Sequence, residues 1–406
     1  MSSTPSTAAA PARPTPALER ALAPDLARGV MLLLIALAHV PWFVYDAPLG
    51  AAMLHPAEGN LTDRIVQVLT LTVVDARTHT MFGFLFAYAI GQMYARRTAL
   101  GTSPGRTRRI MRHRHLWMLA FGAAHALLLW QGDILGVYGL IGLVMTPLFF
   151  GRSDRVLKIW VTVLLSLGAV FTLLTLLSSL VVEPSATAAA QPQRLAIAET
   201  DYLSSVVLRL GLWSFGLFSG LFTLALPTVF LLGLLAARHR ILEEPSRHLT
   251  LLRWTAFAGI PVGWATGALL GLEHVGVLDM GHDAALAALH FHTGIPTGVG
   301  YAALFGLLVH HLRERGARGR LPVRALAALG RRSLSGYLAQ SLVFVPLLAA
   351  WGLGLGAHLT SGSAAMIAVA TWTATVVGAF LLERAGRSGP AEVLLRRATY
   401  GPAHSR

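Results

Sequence analysis

The chain has no cysteine, a single lysine (Lys158) and little charge of either sign, with Asp, Glu, Lys and Arg together making up 13% of its 406 residues. The first absence excludes disulfides, thiol nucleophiles, thiolate metal sites and palmitoylation, so any covalent chemistry falls to His, Ser, Asp or Glu. The shortage of charge excludes a water-facing surface, because a soluble chain of this length needs about a quarter of its residues charged. Apolar residues fill the deficit at 54%, and mean hydropathy is positive. Lipid is therefore the main solvent. The formal charge of +14 is nearly all arginine, and its concentration in loops speaks for membrane orientation rather than nucleic-acid binding. G-x-S-x-G and P-loop motifs, a short internal repeat and convincing inverted halves are all missing too.

What is present reads as an all-α integral membrane protein, a polytopic bundle of about ten transmembrane helices. Residues 1–24 are rich in Ala, Pro, Ser and Thr with no apolar core, which reads as a disordered cytoplasmic tail rather than a cleaved signal peptide. Residues 25–406 form one polytopic membrane domain. Apolar segments near the ~20 residues needed to cross ~30 Å of hydrocarbon fall at 29–45, 79–95, 115–131, 134–150, 156–182, 211–237, 251–272, 286–311, 333–352 and 364–383. Arginines collect on alternate connections: Arg96 to Arg114, Arg152 to Lys158, Arg238 to Arg247, Arg313 to Arg332, and the tail from Arg384. The connections between them carry mostly acids, including Asp46, Asp75, Asp133, Glu199 and Asp279. Both termini are then expected in the cytoplasm. The amphipathic piece DRIVQVLTLTVV, within 46–78, reads as an interfacial helix.

Polar groups at membrane depth are the informative ones, since burying them is costly unless they are paired or used. Arg28 and His39 lie eleven positions apart in the first span, which leaves them about 20° apart around the helix and ~16 Å apart along it. Arg114 and His125 repeat this spacing in the third span, so the two histidines are expected at similar depth, in the outer half. Arg77 and His79, opening the second span, and His290 and His292 in the eighth, are expected near that same level. After His125 come Trp130, Gln131, Asp133 and Tyr138 in a tight outer turn. His290 and His292 point about 200° apart on a helix and chelate one metal poorly, so no metal site is assigned. Each histidine also has a plainer reading, as a packing or hydrogen-bonding group between spans.

Several motifs together resemble the YeiB-like bacterial membrane proteins, a family of unknown function (domain of unknown function 418): Arg28-Gly29 opening the first span, LFAYAIGQMY, HALLLWQGDILGVYGLIG, GRRSLSGYLAQS at Gly330 to Ser341, and GPAEVLLRRATYG from Gly389. The resemblance covers nearly the whole chain after residue 24, with the C-terminal region at about 210–406. That family is in turn similar to membrane-bound acyltransferases acting on sugars and lipids, whose first span carries a basic residue, ten intervening residues and a histidine, as Arg28 and His39 do here. Other acyltransferase motifs are not recognisable.

The resemblance implies acyl transfer from cytoplasmic acyl-CoA, a co-substrate rather than a tightly bound cofactor, to a hydroxyl of a lipid, glycan or small-molecule acceptor. His39 would be the base, with His125 and Asp133 in support. Arg28, Arg77, His79, Trp130, Tyr138 and Gln340 are the candidate substrate contacts. The expected location is the bacterial cytoplasmic membrane, with the lipid bilayer as partner and no nucleic acid. A transporter or lipid flippase, and a non-enzymatic membrane scaffold, remain the alternatives.

Overall fold

A computed structural model describes residues 21–50, 52, 54–181 and 191–400; the tail expected at 1–24 lies almost wholly outside the described residues. All regular structure among them is helical apart from one bridge between Leu49 and Pro56. In chain order the helices are α1 (Leu22–His39), α2 (Leu61–Val73), α3 (Thr78–Ala99), α4 (Pro104–Leu128), α5 (Leu135–Phe149), α6 (Asp154–Ser179), α7 (Gln191–Ala198) and α8 (Tyr202–Phe222). There follow α9 (Ala225–Arg238), α10 (Leu249–His274), α11 (Asp283–Glu314), α12 (Leu321–Arg331), α13 (Ser333–Leu348), α14 (Ser361–Arg384) and α15 (Pro390–Tyr400). Among the described residues six are long and apolar enough to cross a membrane, namely α1 with the turn after it, α6, α8, α10, α11 and α14. This is a multi-pass membrane protein.

The segment expected as a single span at 211–237 is instead two helices, α8 and α9. Thr223 between them has an extended ψ of 123°. The physical reason is Pro227, whose ring would strike the carbonyl of residue 223 in a continuous helix, and which is tolerated in the first turn of a new one. The amphipathic piece does form a helix, α2. Its N-terminus is closed by a reciprocal cap between Asn60 and Asp63, and Asp63 also accepts the N–H of Gly362 at 2.8 Å. One carboxylate thus ends α2 and ties it to the start of α14.

Several arginines gather at one end of the helices. There Arg238 meets Asp154 at 2.7 Å, and Arg331 and Arg332 share Glu383 at 2.6 and 2.7 Å. Two of the motifs quoted above interlock at this end. Glu392 accepts the N–H groups of Leu334 and Ser335, at the start of α13, at 2.8 and 3.2 Å. The Ser335 hydroxyl in return accepts the N–H of Ala391 at 3.0 Å, at the start of α15. Each helix supplies the other's cap, and a side chain on Gly389 would collide with both partners. Close approach also fixes α1, since a Cβ on Gly29 would strike the carbonyl of Leu326 in α12, and one on Gly330 would strike that of Asp25.

Candidate functional site

At the opposite end from Arg238, Arg331 and Arg332, a partly open cavity of about 300 Å³ lies where the last turn of α1, the first turn of α3, the α4–α5 turn, α8 and α11 converge. His39, His79 and Asp133 line it, as does a pair that the sequence did not single out, His55 and Asp75. Apolar lining comes chiefly from Phe82, Leu212 and Phe291.

His39 is the final residue of α1 and is gripped by rings rather than by a carboxylate. Trp130 meets it edge-on with centroids 4.5 Å apart, and Tyr337 at 6.3 Å. Trp130 is itself almost completely buried, so it shapes the position of His39 from behind the cavity wall. Tyr337 also lies 5.5 Å from the His125 ring, and its hydroxyl accepts the N–H of Ile134 at 3.3 Å. One aromatic residue of α13 therefore spaces two histidines and holds the α4–α5 turn.

Asp133 sits in that turn. It accepts the N–H of Gly136 at 2.6 Å, closing the start of α5, and the indole N–H of Trp213 at 3.3 Å. Its other oxygen is 3.2 Å from His125 Nδ1. His125 is thus paired with Asp133 but stands behind it, outside the lining.

The His55–Asp75 pair is the tightest histidine–carboxylate contact of the cavity wall, with Nε2 and Oδ2 at 2.7 Å. Two devices hold it. The loop bearing His55 is clamped by His274, whose Nδ1 accepts the N–H of Ala52 at 3.1 Å and whose Nε2 donates to the carbonyl of Pro56 at 2.9 Å. Asp75 rides on a sharp α2–α3 turn in which Ala76 is left-handed, φ 57°, a conformation costing a non-glycine residue about 1 kcal/mol. Arg77, fully buried, pins this turn. Its guanidinium donates to the carbonyls of Leu71 at 3.2 Å, Asp75 at 2.6 Å and Gly263, and lies 2.8 Å from the His290 ring.

The remaining sequence candidates take places away from the cavity lining. Tyr138 donates to the carbonyl of His79 at 2.7 Å, and Gln340 donates to the carbonyl of Leu32 at 3.0 Å. Arg28 pairs with Asp25 at 3.4 Å and donates to the carbonyl of Leu85 at 3.2 Å, toward the arginine-rich end. His290 and His292 diverge, the first onto Arg77 and the second toward Gly168 of α6. Sequence reasoning thus reached His39, His79, Gln131 and Asp133 among the polar cavity residues and did not pair His55 with Asp75. The one signal within reach was the quartet Asp75-Ala76-Arg77-Thr78, two opposite charges flanking the entry to an apolar helix.

A helical multi-pass membrane protein with a histidine- and carboxylate-lined cavity at one end is the class that this fold and site define. Within that class, residues 236–402 match the family model described as "Protein of unknown function (DUF418)". Over nearly its whole length the chain is similar to two further proteins. It is 27% identical to the uncharacterized protein YxaH of Bacillus subtilis, over 96% of each chain. It is 28% identical to the uncharacterized protein YeiB of Escherichia coli, over 96% of this chain and 99% of YeiB. No solved structure matches it.

Proposed function

We propose that this protein is a membrane-embedded acyltransferase that activates an acceptor hydroxyl inside the cavity. The observation that supports the reading best is the exposure of the His39 imidazole to a cavity that also holds His79 and Asp133. By the arginine bias, the arginine-rich end and both termini face the cytoplasm of a bacterial cell, and the cavity opens at the outer half of its cytoplasmic membrane. The acceptor oxygen attacks the carbonyl carbon of an acyl-CoA thioester. Its proton passes to His39 as the new C–O bond forms, the C–S bond breaks, and the proton leaves to the departing thiolate. At about 300 Å³ the cavity has room for the acyl end of such a donor and not for its nucleotide, so a cytoplasmic donor would reach His39 with its acyl-pantetheine arm threaded between the helices from the arginine-rich end.

One observation favours a second assignment within the same reaction. His55 has an ionisable carboxylate at 2.7 Å, the arrangement that fixes a tautomer and stabilises an imidazolium, whereas His39 is held by rings. Release of free CoA from acetyl-CoA and longer acyl-CoAs, with host extract as acceptor source, tests both. Loss of acceptor-dependent release in folded His39→Ala supports His39 as base; loss in His55→Gln with His39→Ala active moves the role to His55. No release from the folded wild-type protein with any donor defeats the acyltransferase reading in favour of transport or scaffolding.

A further inference from the structure

The cavity is amphipathic, and its two halves come from different parts of the fold. The polar half is contributed by α1, the α2–α3 turn and the α4–α5 turn through His39, Asp75 and Asp133, while the apolar half is contributed by α3, α8 and α11 through Phe82, Leu212 and Phe291. Helix α8 stands at the rim of the bundle, with Val207, Phe215, Phe218 and Phe222 exposed on its outward side, where lipid is the solvent. It packs against α4, α5, α7 and α9, whereas α11 packs chiefly against α10, α3, α6 and α1. Phe291 of α11 is itself exposed as well as lining the cavity. The wall of α8 is thinnest at Gly216, which lines the cavity and where an added Cβ would meet nothing within 4 Å.

We propose that the cavity takes an amphiphile from the side: a hydroxylated head seated among the histidines, with its apolar chain leaving between α8 and α11 into the surrounding lipid. This rests on the acyltransferase reading for the fate of the head group, but not for its entry. A water-soluble acceptor has no use for a half lined by Phe82, Leu212 and Phe291. A chain-bearing acceptor does, because its methylenes are kept out of water there.

The test is photolabelling, which needs no turnover. Wild-type protein in nanodiscs is exposed to an alkyl glucoside carrying a diazirine in its alkyl chain, and the labelled peptides are mapped by mass spectrometry. Labelling is expected on α8 around Leu212 to Gly216 and on α11 around Phe291, suppressed by unlabelled long-chain alkyl glucoside and not by free glucose. Gly216→Trp fills the window and is expected to reduce this labelling by at least about tenfold. Gly211→Trp, at an exposed glycine that is likewise uncrowded but does not line the cavity, leaves it unchanged and shows that an added indole on α8 is tolerated. Labelling spread evenly over all lipid-facing helices, competition by glucose alone, or equal effects of the two tryptophans would overturn the proposal. If labelling behaves as expected while CoA release is absent, the lipid site stands and the acyltransferase reading falls.

Discussion

Asp75 and Arg77 flank a left-handed Ala76 and point their charges to different tasks: Asp75 reaches His55 on the cavity wall at 2.7 Å, and Arg77 turns into the protein to hold the carbonyls that make the turn. The geometry of one side chain is thus set by the burial of the other. This arrangement explains how a non-glycine residue stays in a strained conformation next to the cavity.

Arg77 is therefore expected to act on stability. Arg77→Lys cannot span the carbonyls of Leu71, Asp75 and Gly263 together, and leaves buried acceptors without donors. A loss on the order of 3 kcal/mol is expected, read as a lower melting temperature in detergent. A variant that melts like wild type but binds substrate more weakly would return Arg77 to the role of a substrate contact.

Under the proposed acyl transfer, His39 and Asp75 are expected to separate chemistry from positioning. If His39 is the base, His39→Ala lowers acyl transfer by about 10²-fold or more. Asp75→Asn, which keeps the shape of the pair but removes its charge, then lowers it by only about tenfold. Rates for the two variants with one donor and saturating acceptor decide the order, and a reversed order assigns the proton to His55.

The α2–α14 tie is expected to be acid-sensitive. Burial alone would raise the Asp63 carboxyl; the Gly362 N–H, the Thr360 hydroxyl and the Asn60 N–H more than offset this and hold it below the usual carboxylate range. With the folded-state value depressed, the stabilisation is fully present above the unfolded value and is lost as pH falls through the folded one. Asp63→Asn is therefore expected to melt below wild type at neutral pH, with the gap closing in strong acid. A gap independent of pH would mean that shape, not charge, makes the tie.

Glycine at the α1–α12 crossing is required by contact. Gly330→Ala drives a methyl group into the carbonyl of Asp25, and a cost of about 1–3 kcal/mol is expected from the forced separation. Gly211→Ala, with open space around it, serves as the neutral control in the same melting experiment.

How much of this was legible in the chain follows from the range of each interaction. The spans could be read because lipid selects continuous apolar segments of a set length. Of the ten expected segments, those in α1, α6, α8, α10, α11 and α14 are long apolar helices, while α5, α9 and α13 are shorter, and 211–237 is broken by a local rule, since Pro227 in the apolar run marked a restart. The shared level of His39, His79 and Asp133 followed from counting residues along helices that all begin or end at one boundary. His55 escaped because it sits in a loop with no helical register, where position cannot be counted.

Composition and the run of apolar segments by themselves determined that the chain is a helical multi-pass membrane protein, because water and lipid act on each segment separately. Only the tertiary structure decided that Asp75 meets His55, that Arg77 serves the turn rather than the cavity, and that Trp130 and Gln340 stand behind the wall. Those outcomes depend on which helices become neighbours and at what rotation. Packing sets both across residues as far apart as Arg77 and Gly263, and no single segment of the sequence carries that information.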